Sequence, residues 1–161
     1  MKQQCKKGFT IIEVILVMGI AGLIFLMIFA ALPALGRAQR DSRRRDDISI
    51  LLRKIKDYQT NNRGMLPENL KDFKEDYLGN NFEDPLGEEY ELEEKKCGNS
   101  NVGTECSESM TKTNPTFPNG YQVFVHRQAS CDGEKAVVSK NVRKIAIQYK
   151  LEGGGIYCAN T

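Results

Sequence analysis

From Phe9 to Gly36 the chain reads FTIIEVILVMGIAGLIFLMIFAALPALG, a run whose only ionisable side chain is Glu13. Its length exceeds the ~20 residues that a helix needs to span a bilayer. At 1.5 Å per residue it would extend about 42 Å, past a ~30 Å hydrocarbon core, so tilt, bending or protrusion is expected. Gly19, Gly22 and Pro33 are the places where it can bend or loosen. The pattern then changes. In RAQRDSRRRDDISILLRKIKDYQTNNRG, Ala38, Ile48, Leu51, Leu52, Ile55 and Tyr58 recur at steps of three and four, the period of a helix with one apolar face. Together the two runs predict one helix from Phe9 to about Asn61, apolar all round over 9–36 and amphipathic over 37–62. Asn61-Asn62-Arg63-Gly64 supplies the stop.

Beyond the helix the period shortens. Leu70, Phe73, Tyr77 and Leu78 allow a short helix or loop. Glu89, Glu91 and Glu93 alternate with Tyr90 and Leu92 as on an exposed strand. Residues 97–120 are rich in Gly, Ser, Thr and Asn and read as a surface loop. Tyr121, Val123 and Val125, then Ala136 to Ser139, then Ile145, Ile147, Tyr149 and Leu151 mark strands, and Gly153-Gly154-Gly155 turns the chain into a last strand over Ile156 to Cys158. The expected fold class is α+β: a long N-terminal helix whose amphipathic half packs on a small antiparallel sheet, with residues 63–161 as the globular head.

Five cysteines are an odd number, but Cys5 precedes the apolar run while Cys97, Cys106, Cys131 and Cys158 follow it. Four cysteines beyond a membrane segment read as two disulfides in an oxidising space. Three connectivities are open, and Cys97–Cys106 with Cys131–Cys158 is the favoured one. Free buried thiols are the alternative, since no CxxC spacing suggests metal ligation. The formal charge of +2 is too small to mark a nucleic-acid-binding domain. Glu83, Asp84, Glu88, Glu89, Glu91, Glu93 and Glu94 crowd together; hard carboxylate oxygens suit calcium, yet the spacing fits no defined calcium loop, and a solvated surface is the reading taken. His126 is the only histidine, so a histidine-based metal site or triad has no second one to draw on. Gly153 to Gly155 lacks the Lys-Ser/Thr and the following helix of a phosphate loop. No catalytic or cofactor site emerges, and the chain reads as non-enzymatic.

The N-terminal run is twice the length of a signal peptide's apolar region, carries a carboxylate near its start and ends without a small-x-small cleavage site. A lipoprotein's modified cysteine would follow the run, whereas Cys5 precedes it. Glu13 is the informative residue, because a carboxylate inside a membrane helix costs roughly 2.5–3.5 kcal/mol and needs a partner. The order Lys6, Lys7, Gly8, Phe9, Thr10, Ile11, Ile12, Glu13, Val14, Ile15, followed by an uninterrupted apolar run, resembles the type IV pilins, pseudopilins and competence pilins with their class III prepilin leader. The detailed likeness covers about the first thirty residues. Gly64-Met65-Leu66-Pro67 and Asp84-Pro85-Leu86-Gly87 resemble, more weakly, turns of the same family.

The resemblance implies that residues 1–8 are a leader removed by a prepilin peptidase between Gly8 and Phe9, that Phe9 is N-methylated, and that Glu13 pairs with a neighbouring subunit's terminus during assembly. Residues 9–36 would then be a transmembrane and filament-core helix. The implied partners are the peptidase, other pilin subunits, an inner-membrane assembly platform and, before assembly, membrane lipid. The implied role is that of a major or minor pilin or pseudopilin in a filament serving motility, adhesion, DNA uptake or secretion; the alternative is a membrane-anchored extracytoplasmic binding module that never polymerises. Loss of Lys2, Lys6 and Lys7 with the leader would leave 20 basic against 21 acidic residues, a formal −1. Arg37, Arg40, Arg43, Arg44 and Arg45 read as a solvated face, a lipid headgroup contact or a contact with acidic patches on neighbours. Their position makes the positive-inside rule ambiguous, and the leader and the distal cysteines set the expected orientation as N-terminus cytoplasmic.

Overall fold

In a computed structural model of the chain, residues 8–79, 82–98, 101–111 and 121–161 are described. Lys2, Cys5, Lys6 and Lys7, and part of the expected 97–120 loop, lie outside them. Two units meet between Arg37 and Ala38. Helix α1, Ile11–Asn61, belongs to both and contains Pro33. In the first unit its large apolar side chains are exposed, and this stretch is long and apolar enough to cross a membrane.

In the second unit α1 buries Asp41, Arg44, Ile48, Leu51 and Ile55. Steps of three and four place all five on one stripe. The helix ends as its sequence suggests: Arg63 takes φ 55°, and the Gly64 N–H donates to the Gln59 carbonyl at 2.6 Å. Gly64 sits at φ +82°, with the Arg143 guanidinium 3.2 Å from where a Cβ would stand, so both backbone and space call for glycine. Helix α2, Leu70–Phe73, is capped by Asn69, whose side chain accepts the Lys71 N–H at 2.9 Å. A π-helical turn, Lys74–Leu78, follows and ends at Gly79.

The strands are β1 (Glu91–Lys95), β2 (Gln122–Arg127), β3 (Ala129–Asp132), β4 (Lys135–Val138), β5 (Ile145–Lys150) and β6 (Ile156–Asn160). Four of them form a sheet in the order β1-β2-β5-β6, and β3 pairs with β4 separately. The sheet is mixed rather than wholly antiparallel. β1 runs parallel to β2, with Glu91 opposite Gln122 and Lys95 opposite His126. Residues 96–121 are long enough to carry the chain back for a parallel pairing, which a hairpin turn cannot do.

Strand β5 is buried at every position, so it is covered on both faces. Its Ile145, Ile147 and Tyr149, with Val123 and Val125 of β2, pack against Ile48, Leu51 and Ile55 of α1. The alternate positions face the other way. Ala146 packs with Ala129, Ala136 and Val138 of the β3–β4 hairpin and with Cys97 and Cys106. The structure joins Cys97 to Cys106 and Cys131 to Cys158.

Candidate functional site

Helix α1 begins with a reciprocal cap. The Thr10 N–H and hydroxyl donate to Glu13 Oε2 at 2.9 and 2.8 Å, and the Glu13 N–H donates to Thr10 Oγ1 at 3.4 Å. Thr-x-x-Glu before an apolar run is the capping-box signature, legible in the sequence but masked there by the interest of Glu13 alone. The carboxylate also lies in the first turn, where the helix dipole favours negative charge. Just before it, Gly8 has no atom within 4 Å of an ideal Cβ, and Phe9 is 89 % exposed. The Gly8–Phe9 bond thus precedes the helix rather than lying in it. From Ile11 to Leu35 the large apolar side chains are exposed among the described residues.

The second constellation lies on the core stripe of the second unit, where Asp41 and Arg44 occupy the phase that Ile48, Leu51 and Ile55 continue. The fully buried Arg44 grips Asp84 with two bonds, Nε to Oδ1 at 2.6 Å and Nη2 to Oδ2 at 3.0 Å. Its Nη1 donates to Asp41 Oδ1 at 2.9 Å and to Glu152 Oε2 at 3.3 Å. Tyr149 donates its hydroxyl to Asp84 Oδ1 at 3.0 Å. Arg40 forks onto Glu152 at 2.8 and 2.6 Å, and Asp41 accepts the Glu152 and Gly153 N–H groups, each at 2.9 Å. One helix turn is thereby fastened to the 84–87 turn and to the β5–β6 connection. Burial alone would lower the Arg44 pKa, but the Asp84 and Asp41 hydrogen bonds outweigh it and the net direction is upward. The Arg40 bonds hold Glu152 down at about 2, whereas burial raises Tyr149.

This network corrects the view of Arg37 to Arg45 as an outward cluster. Arg40 and Arg44 are spent inside the unit, while Arg45 lies 5.9 Å over the Tyr157 ring. Four carboxylates of the acidic cluster are likewise divided among separate cations. Asp84 goes inward to Arg44, Glu89 to Lys74 at 3.1 Å, Glu93 to Lys95 at 2.7 Å and Glu94 to Arg127 at 2.7 Å. Arg127 also donates to the Pro67 carbonyl, tying the turn after α1 to the sheet. Apart from Lys95, two residues from Glu93 on β1, each partner is supplied by a distant segment, so spacing does not reveal these pairings.

His126 on β2 is fully buried. It stands on the sheet face opposite α1, with its ring nitrogen Nε2 2.9 Å from Gln148 Oε1. Burial lowers its pKa.

A family model described as the prokaryotic N-terminal methylation motif matches residues 3–29. No curated protein and no solved structure matches the chain significantly. The matched segment contains Gly8, Phe9, the Thr10–Glu13 cap and most of the exposed apolar helix, which a long helix joined to an α+β unit then continues. These features carry the prokaryotic N-terminal methylation motif into a long apolar helix, and they support a type IV pilin- or pseudopilin-like precursor.

Proposed function

We propose that the chain is a structural subunit, a major or minor pilin, of a type IV pilus-like filament assembled through its N-terminal helix. The observation that carries this reading is the exposed apolar surface of α1 from Ile11 to Leu35, placed directly behind the methylation motif. Such a surface needs lipid or other copies of the same helix around it. Before assembly the segment is a single-pass membrane anchor with its N-terminus cytoplasmic. A prepilin peptidase cuts between Gly8 and Phe9, and Phe9 is methylated on its new amine.

Glu13 then has a second task. Its present partners at Thr10 are neutral donors, which satisfy hydrogen bonds but leave a net charge. Buried among apolar helices, that charge requires a cation, and the Phe9 ammonium of a neighbouring subunit supplies it. The pairing sets axial register between subunits. The part of the chain beyond residue 37 acts as the surface of the filament and performs no chemistry.

The test is intact mass and N-terminal sequencing of the protein from cell envelopes and from sheared surface material. A chain beginning at N-methylated Phe9 in both fractions is expected. A chain retaining Met1 to Gly8 and confined to membranes refutes the filament role and leaves a tethered extracytoplasmic module. Glu13→Ala should leave the second unit folded and abolish fibre incorporation.

A further inference from the structure

Cys97, Cys106 and His126 form one buried group, with the two sulfurs and a ring nitrogen of His126 all within 4.8 Å of one another. The tautomer of His126 is fixed by its neighbours. The Met110 N–H donates to Gln148 Oε1 at 2.9 Å and Gln148 Nε2 donates to the Glu134 carbonyl at 2.8 Å, so the amide can face only one way. Its oxygen therefore accepts from His126 Nε2–H at 2.9 Å. Nδ1 is left as a lone-pair acceptor, and it is the one buried side-chain nitrogen or oxygen without a partner among the described residues. A buried unsatisfied acceptor carries a desolvation cost of roughly 1–3 kcal/mol and calls for an explanation. An imidazole with one nitrogen held by an outer hydrogen bond and the other free is the arrangement of a metal ligand.

We propose that reduction of the Cys97–Cys106 disulfide creates a zinc site whose donors are the two thiolates and His126 Nδ1. The reduction is a thiol–disulfide exchange with a dithiol: two electrons and two protons pass to the cysteine sulfurs, and the dithiol becomes a disulfide. Zinc then displaces both protons, forming two Zn–S bonds. The sum is disulfide plus dithiol plus Zn²⁺ giving the zinc dithiolate, the reductant's disulfide and two H⁺. Opening the bond lets the sulfurs separate to roughly 3.8 Å, the edge of a tetrahedron with ~2.3 Å Zn–S bonds, and three protein donors leave the fourth position to a water. Charge selects the ion. Two thiolates and a neutral imidazole carry −2, which a divalent ion cancels, whereas a monovalent ion such as Cu⁺ leaves a net charge in a buried place. The site would clip Cys97 and Cys106 to β2 in the chain before oxidation, as the disulfide joins them to each other afterwards.

The test uses the full chain with Cys5→Ser in detergent, reduced with a phosphine, its free thiols counted, and titrated with Zn²⁺ against a chromophoric chelator. One equivalent is expected to bind to the reduced chain and to its Cys131→Ser/Cys158→Ser form. None is expected to bind to the oxidised chain, to Cys97→Ser/Cys106→Ser or to His126→Gln. Because His126 is the only histidine, ¹⁵N-histidine labelling reads the site in the unmutated chain, whether or not the variants fold. On adding ¹¹³Cd²⁺, Nδ1 should shift and show coupling to cadmium while Nε2 keeps its proton. Absence of binding by the reduced chain, equal binding by Cys97→Ser/Cys106→Ser, or an unmoved Nδ1 signal overturns the proposal.

Discussion

Replacing Arg44 by Met removes the cation from a carboxylate that has no access to water. The Asp84 side chain is 0 % exposed and accepts from Arg44 Nε and Nη2, the Tyr149 hydroxyl and the Leu86 N–H at 2.6, 3.0, 3.0 and 3.0 Å. Methionine fills much of the arginine stem's volume, so the main loss is electrostatic. Asp84 keeps two neutral donors and Asp41 keeps the Glu152 and Gly153 N–H groups, but neither retains the buried charge opposite it. Breaking one side of a buried pair costs ~3–5 kcal/mol. Against a typical domain stability of roughly 5–15 kcal/mol, that lowers Tm by roughly 10–20 °C. Urea unfolding of the full chain in detergent, followed by tyrosine fluorescence, reads the change. The companion Arg44→Met/Asp84→Leu should recover roughly half of the loss or more, because an ion pair replaced as a unit by apolar groups is often near neutral. A single-variant cost under about 1 kcal/mol, or a double variant as unstable as the two singles summed, would refute the view that charge compensation holds this junction.

Acid should loosen the same junction through Glu152. Its folded-state value is depressed to about 2, below the ~4.3 of an unconstrained glutamate. Its contribution is therefore present above about pH 4.5 and is lost as pH falls toward 2, and Glu152→Gln should flatten that part of the stability profile measured by urea midpoints. The two disulfides should differ in weight, since they close loops of 9 and 27 residues. Chain entropy assigns about 2.6 kcal/mol to the shorter and about 3.5 kcal/mol to the longer. Paired serine replacements compared by chemical denaturation should therefore give the larger loss for Cys131–Cys158.

Period and punctuation made much of the fold legible. Leu51 and Ile55 lie on the stripe that the three-four spacing marks, Gly64 ends the helix, and the alternation of Ile145, Ile147 and Tyr149 places them on the helix side of β5. Three features were not legible, each for a physical reason. The parallel pairing of β1 depends on the path of a long connection, not on the strand's own pattern. Arg44 and Asp84 look like surface charges, because only the folded chain shows that the helical phase of Arg44 points inward to a carboxylate 40 residues away. His126 sits in an apolar run that says it is packed, while the missing partner of Nδ1 is a property of its neighbours. The N-terminal methylation motif was legible because it is local: Gly8, Phe9, Thr10 and Glu13 fall within one short stretch.

Under the proposed function Glu13 has two separable roles. In the precursor it completes the Thr10 cap, a task for which glutamine serves nearly as well, since the capping box accepts either side chain. Cleavage after Gly8 would place an ammonium at Phe9, close to a helix N-terminus whose dipole disfavours positive charge. Only a carboxylate offsets that. Glu13→Gln should therefore preserve the helix start and cleavage by the peptidase, while fibre yield in sheared material falls as far as it does for Glu13→Ala. If Gln supports normal fibres and Ala does not, the residue acts through the cap, and register between subunits is set elsewhere. If both variants fail alike after normal cleavage, the charge is what assembly uses. The two substitutions differ in the capping acceptor but share the loss of charge, so their comparison assigns the role without a structure of the filament.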